Sequence, residues 1–120
     1  MTTKSLLYVI TNAPYSNAMG QEALDAILIG ASFEQAVSVL FMHDGVFQLN
    51  ANQDTADSEF KHYTKAYDAL EDFGVEQIAC HDLSLLARGL SQADLMRTTE
   101  LVTSEQIQTM ISESHKVFTF

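Results

Sequence analysis

Two six-residue runs, Ser5 to Ile10 (SLLYVI) and Val37 to Met42 (VSVLFM), are apolar almost without interruption. A strand with that pattern has to be covered on both faces, as in a parallel sheet flanked by helices. Between them, Met19 to Phe33 carries Gly20, Ala23, Leu24, Ile27, Leu28 and Ala31 at helical spacing, a wide apolar stripe that would lie on the sheet. Strand, helix and strand make a βαβ unit, which crosses over right-handed and pairs its strands in parallel.

The rest of the chain continues the alternation. Asn50 to Ser58 (NANQDTADS) is polar and without period, so it reads as an exposed connection. Phe60, Tyr63, Ala66, Tyr67, Leu70 and Phe73 form the stripe of a second helix, which Gly74 ends. Val75 to Cys80 reads as a third buried strand and Thr98 to Val102 as a short fourth, with a polar connection from Ser91 to Arg97 before it. Thr103 and Gln106 have the spacing of a capping box, with Ile107, Met110 and Ile111 as the inner face of the helix that follows. Lys116 to Phe120 (KVFTF) is a last strand, and its lysine suits a sheet edge. These elements predict an α/β fold: one three-layer α/β/α domain over residues 1–120, with a mostly parallel five-stranded sheet of flavodoxin-like winding. In such a sheet the site lies at the carboxyl edge, where Thr11 to Ala18, His43-Asp44-Gly45 and Cys80 would all map.

Cys80 is the single cysteine and ends an apolar run. Asp82 can serve as N-cap of the helix after it, Leu83, Leu85 and Leu86 give an apolar turn, and Gly89 fits the left-handed position that ends a helix. Cys80 would then face the positive end of that helix, where a thiolate is favoured and can act as a nucleophile or carry sulfur. His81 would assist if its ring turned toward the sulfur. The plainer alternatives are a buried, space-filling thiol and a solvated loop histidine. His43 and Asp44 either line a ligand cleft or serve only the turn. On the first helix, Ala26, Ile29 and Phe33 fall opposite the main stripe, among Glu22, Asp25 and Ser32, so a second apolar face there predicts a subunit interface.

The chemistry can be narrowed by what is missing. A formal net charge of −10 argues against direct binding to nucleic acid or to an anionic membrane, since both need a basic patch. His43, His62, His81 and His115 are scattered and no HExxH or CxxC spacing occurs, so no metal site is expected. Neither GxGxxG nor GxxxxGK[ST] is present, so no nucleotide cofactor is expected either. One cysteine allows no internal disulfide, and no signal-like or membrane-spanning run is seen, which points to the cytoplasm.

Three segments, GQEALDAIL (Gly20 to Leu28), FMHDGVFQL (Phe41 to Leu49) and CHDLSLLARGL (Cys80 to Leu90), resemble the TusC/DsrF branch of the DsrE-like sulfur-relay proteins. The resemblance covers nearly the whole chain, and DGVFQL is its most specific piece. It implies a subunit that assembles with TusB-like and TusD-like sisters into a heterohexamer, two copies of each. That complex passes persulfide sulfur from a TusA-like to a TusE-like carrier, toward 2-thiolation of the tRNA wobble uridine. A DsrF-like subunit would serve sulfur oxidation instead. The resemblance also implies that the acceptor cysteine belongs to the TusD-like sister. Cys80 stands at a similar position but is followed by His81-Asp82 where the acceptor has small apolar residues, so this chain is expected to be mainly structural. The alternative is a thiol sulfurtransferase that uses its own Cys80.

Overall fold

The computed structural model describes residues 4–13, 19–32, 36–49, 70–72, 74–95 and 99–120. Each expected strand among them forms, within one or two residues of its apolar run: β1 (Ser5–Ile10), β2 (Ala36–Phe41), β3 (Gln77–His81), β4 (Glu100–Val102) and β5 (Lys116–Thr119). The four pairings among these strands are parallel, and the strand order is β4-β3-β2-β1-β5. The three-layer, doubly wound class is the one predicted. Within it, the order differs from the 2-1-3-4-5 arrangement of flavodoxin. Continuous apolar runs specify burial, not neighbours, and this chain steps in one direction from β1 to β4 before returning to place β5 beside β1.

That return decides where the helices sit. Right-handed crossovers put helices on one face while the chain steps one way and on the other face when it reverses. Accordingly α1 (Met19–Ser32) and the short α2 (Asp82–Ala87) share one face, where Ala23, Leu24, Ile27 and Leu85 pack with Tyr8, Val39, Phe41 and Cys80. The helix between β4 and β5, α3 (Ser104–Glu113), lies on the other face with Ile107 against Leu7, Val9, Leu40 and Ala79. Fully burying a side chain such as Ile27, which has no exposed surface, contributes about 1.5–3 kcal/mol.

Sequence signals set several boundaries. The Thr103–Gln106 capping box forms as predicted: Gln106 N–H donates to Thr103 Oγ1 at 3.2 Å and Thr103 N–H to Gln106 Oε1 at 2.8 Å. Gly89 ends α2 with φ +68°, and the N–H of Leu90 donates back to Leu85 O at 3.0 Å. Lys116 does begin an edge strand, and all four residues of β5 are exposed. That edge is held by aromatic stacking, with ring centroids 5.1 Å apart for Tyr8–Phe118 and 6.3 Å for Tyr8–Phe120.

Three expectations need correction. Ile111 does not belong to the inner face of α3, being 44% exposed, because one ten-residue helix covers the sheet here only along the line of Ile107 and half-buried Met110. Ala26 is half-buried and packs against the core, so of the two described residues of the predicted outer patch it is Ile29 that stands out, at 60% exposure. Asp82 is not the N-cap of α2. His81 occupies that position, and Asp82 begins the helix with its carboxylate accepting from Leu83 N–H at 2.6 Å. Phe33, residues 14–18, the Asn50 to Ser58 loop and all of the second predicted helix before Leu70, with Phe73, lie outside the described residues. Leu70 itself is fully buried.

Candidate site at the carboxyl edge of the sheet

His43–Leu49 (HDGVFQL) does not stop at a turn but forms a seven-residue 3-10 segment that seats on the carboxyl edge of β1 and β2. Gly45 makes the seating possible: a Cβ on it would lie 1.8 Å from the carbonyl oxygen of Ile10, closer than any side chain can come. Gln48 is fully buried beneath the segment and its Nε2 donates to Asn12 O at 3.0 Å. His43 begins the segment at φ +53°, in the left-handed region that costs a non-glycine residue energy. The edge above β1 is therefore filled by the chain's own backbone, and His43 and Asp44 remain exposed on its outer side.

Neighbouring residues at the end of β3 point to opposite faces, as strand geometry demands. Cys80 lies in register with Phe41 and belongs to the core under α1 and α2. It has no exposed surface, and burial pushes its thiol up to about 12 from an ordinary 9.0. The expected ease of ionisation is thus reversed, because the thiol lies in an apolar core cluster with Tyr8, Phe41 and Leu85, where its charged form is desolvated. His81 is 8% exposed, so it is not a solvated loop residue. Its ring turns away from the sulfur to the α3 face, in register with buried Val102.

There the imidazole joins three elements. His81 Nδ1 lies 2.7 Å from Ser84 Oγ in α2, and Nε2 lies 3.0 Å from Ser104 Oγ, at the start of α3. Ser84 Oγ also accepts the backbone N–H of His43 at 2.9 Å. Each ring nitrogen thus has a serine hydroxyl within hydrogen-bonding distance, and a hydroxyl can either donate to a bare nitrogen or accept from a protonated one, so both nitrogens are satisfied in either tautomer. The strained start of the 3-10 segment, the end of β3 and the start of α3 are so joined through one ring. Arg88 adds a second tie, its Nε donating to Asp44 Oδ1 at 2.9 Å and its Nη1 to Ser84 O at 3.2 Å.

Ser84 and Ser104 were not anticipated as site residues. The signal for Ser84 was its place three residues after His81 on a helical turn, whereas Ser104 required the strand order. Among the described residues no group of three or more His, Cys, Asp or Glu side chains is gathered as a metal site would require. Nor is any helix among them long and apolar enough to cross a membrane.

A family model described as the DsrE/DsrF-like family matches residues 4–120. Among curated proteins, the intracellular sulfur oxidation protein DsrF of Allochromatium vinosum is 37% identical over 131 aligned positions, spanning 98% of this chain and 96% of its own length. The TusC homolog of Vibrio vulnificus strain CMCP6 is 34% identical over 96% of this chain and 98% of its own. For the TusC homolog of Pseudomonas aeruginosa the identity is 32%, over 98% of each chain. Among solved structures, the ychN protein from E. coli superimposes with a TM-score of 0.81 over 99% of this chain and 100% of its own, at 19% identity, a likeness of fold.

Proposed function

The chain belongs to the DsrE/DsrF-like family, and on that premise we propose that it is a sulfur-relay subunit whose own thiol is not the main sulfur carrier. The full-length similarity to proteins named DsrF and TusC supports the relay, because it runs through both strand ends that form the candidate site. The observation that carries the second half is the burial of Cys80. A persulfide acceptor must present a thiolate to the outer sulfur of an incoming persulfide while the donor cysteine leaves. A thiol with no exposed surface and raised to about 12 meets neither need in this conformation.

In the assembly we propose, TusB-like and TusD-like sisters complete a heterohexamer with two copies of each chain, and the TusD-like sister holds the acceptor cysteine. TusA-like and TusE-like carriers deliver and remove sulfur in the cytoplasm, on the way to 2-thiolated wobble uridine in tRNA. This chain's part is to complete the assembly, with Ile29 on the outer face of α1 as a contact with a sister. One observation favours a second reading. The DsrF relative is more similar, at 37%, than the TusC homologs at 34% and 32%, which suits a subunit that works in sulfur oxidation.

The test is to load the purified assembly with radiolabelled sulfur from a cysteine desulfurase and a carrier, comparing wild type with Cys80→Ala. The proposal expects label on a sister chain and an unchanged rate. Label on this chain that disappears with Cys80→Ala would make Cys80 the carrier instead. Deleting the gene in its native host separates the pathways: loss of 2-thiouridine from tRNA supports the first, and loss of sulfur oxidation with intact tRNA the second.

A further inference from the structure

In open α/β sheets, ligands bind outside the carboxyl ends of two adjacent strands from which the chain leaves in opposite directions. Here that point lies between β3 and β4. After β3 the chain enters α2 on the α1 face, where Leu85 is buried, and after β4 it enters α3 on the other face, where Ile107 is buried. A cleft of about 390 Å³ opens at this place, lined by Asp82 and Leu83 from α2, by Ser104 and Glu105 from α3 and by Thr103, which caps α3. His81 sits beneath it, bonded to Ser104 at 3.0 Å and with Nε2 3.9 Å from the Asp82 carboxylate.

The lining selects against the ligand that most such clefts take. Anions bind where helix N-termini offer free N–H groups. Here two of the first-turn donors are already used within the chain, the Leu83 N–H by Asp82 and the Gln106 N–H by the Thr103 side chain. Asp82 and Glu105 place two carboxylates in the cleft, in a chain of net charge −10. What this arrangement offers is acceptors: two carboxylates and two hydroxyls. One wall is apolar, since Leu83 is 55% exposed, and Leu86, one helical turn on, is 73% exposed. A cationic head on a methylene stem fits both halves, the head on the carboxylates and the stem along Leu83.

We propose that this cleft is a docking site for an arginine or lysine side chain of a partner protein, flanked on the partner by apolar residues that cover Leu83 and Leu86. A partner protein, more than a free amine, is indicated by the leucine pair, which a small polar cation would leave exposed to water. The site does not require Cys80 to carry sulfur, so it stands or falls apart from the relay reading.

The test is an NMR titration of the full-length, 15N-labelled chain with the dipeptide acetyl-Leu-Arg-amide, and in parallel with acetyl-Leu-citrulline-amide, which keeps the shape and loses the charge. The expected result is amide shifts confined to Asp82, Leu83 and Thr103 to Glu105 with the arginine peptide and not with citrulline. Glu105→Gln should weaken that binding about fivefold, as loss of an exposed ion pair does, and Leu83→Ser should weaken it independently. Equal shifts with both peptides, shifts elsewhere, or binding unchanged in Glu105→Gln would each overturn the proposal. So would inorganic sulfate shifting the same amides.

Discussion

The Nε2 of His81 lies 3.0 Å from the hydroxyl of Ser104, so the last residue of β3 is hydrogen bonded to the first residue of α3 across the gap between two strands. The same ring reaches Ser84 at 2.7 Å, and together these bonds account for a buried histidine that no apolar core would tolerate alone. His81→Ala removes both bonds and opens space, and should destabilise the chain by about 1–3 kcal/mol. Ser104→Ala should cost less than about 1 kcal/mol, because Ser104 is exposed and water replaces its hydroxyl. Urea unfolding of the two variants measures the difference, and equal costs would mean the ring is not the joint described.

The thiol predicts a pH effect with a definite sign. Folded, Cys80 keeps its proton up to about 12, whereas in the unfolded chain it ionises near 9.0. Below about 9 its contribution to stability is complete and constant. Between the two values the folded state binds more protons, so stability falls as pH rises, by at most about 1.4 kcal/mol per unit. Burial also raises Tyr8, which acts in the same direction. The Cys80 share is therefore read from the wild type against Cys80→Ala in urea unfolding from pH 8 upward: the variant's decline should be shallower.

Val46 and Leu49 of the segment tied down over the sheet edge share the core cluster that holds Cys80, so loosening the segment is expected to open a way to the thiol. The Arg88–Asp44 pair is 2.9 Å long and partly exposed, so Arg88→Ala should cost only about 0.2–1 kcal/mol of global stability. Its larger effect is local. Amide exchange across His43–Leu49 should quicken, and a thiol reagent should modify Cys80 faster, while modification of wild type stays slow. A rate for Cys80 that is the same in both would show that the segment does not gate it.

Gly45 is the least replaceable residue of that segment. With Ile10 O only 1.8 Å from where a Cβ would stand, Gly45→Ala forces backbone apart from backbone. A loss of about 3 kcal/mol or more follows. Thermal unfolding checks it, with Gly89→Ala as comparison: nothing lies within 4 Å of a Cβ there, and only the positive φ of +68° is strained.

How much of this was legible in the sequence follows from what each pattern can encode. Unbroken apolar runs gave β1 and β2, and the Thr103–Gln106 spacing gave the start of α3, because those signals are local. Strand order is not local. A run such as SLLYVI says that both faces are covered but not that β5 will lie beside it. At the site, the sequence drew attention to Cys80 and His81 together, yet the period of two in a strand sends them to opposite faces, one into the core and one to the serines. The Asp44-Gly45 pair reads as a turn from its composition. Only the close approach to Ile10, fixed by the packing of β1 against β2, makes it the start of a plug that buries Gln48.

The proposed role requires that the chain work as one subunit among homologous sisters. The decisive measurement is to purify tagged chain from its native cells under gentle conditions and weigh the intact assembly by native mass spectrometry, alongside the Ile29→Glu variant. Two different DsrE-like sister chains in a two-each assembly are expected, with association reduced about tenfold or more by a charge at that apolar contact. A lone chain, or an assembly of this chain only, would contradict that role.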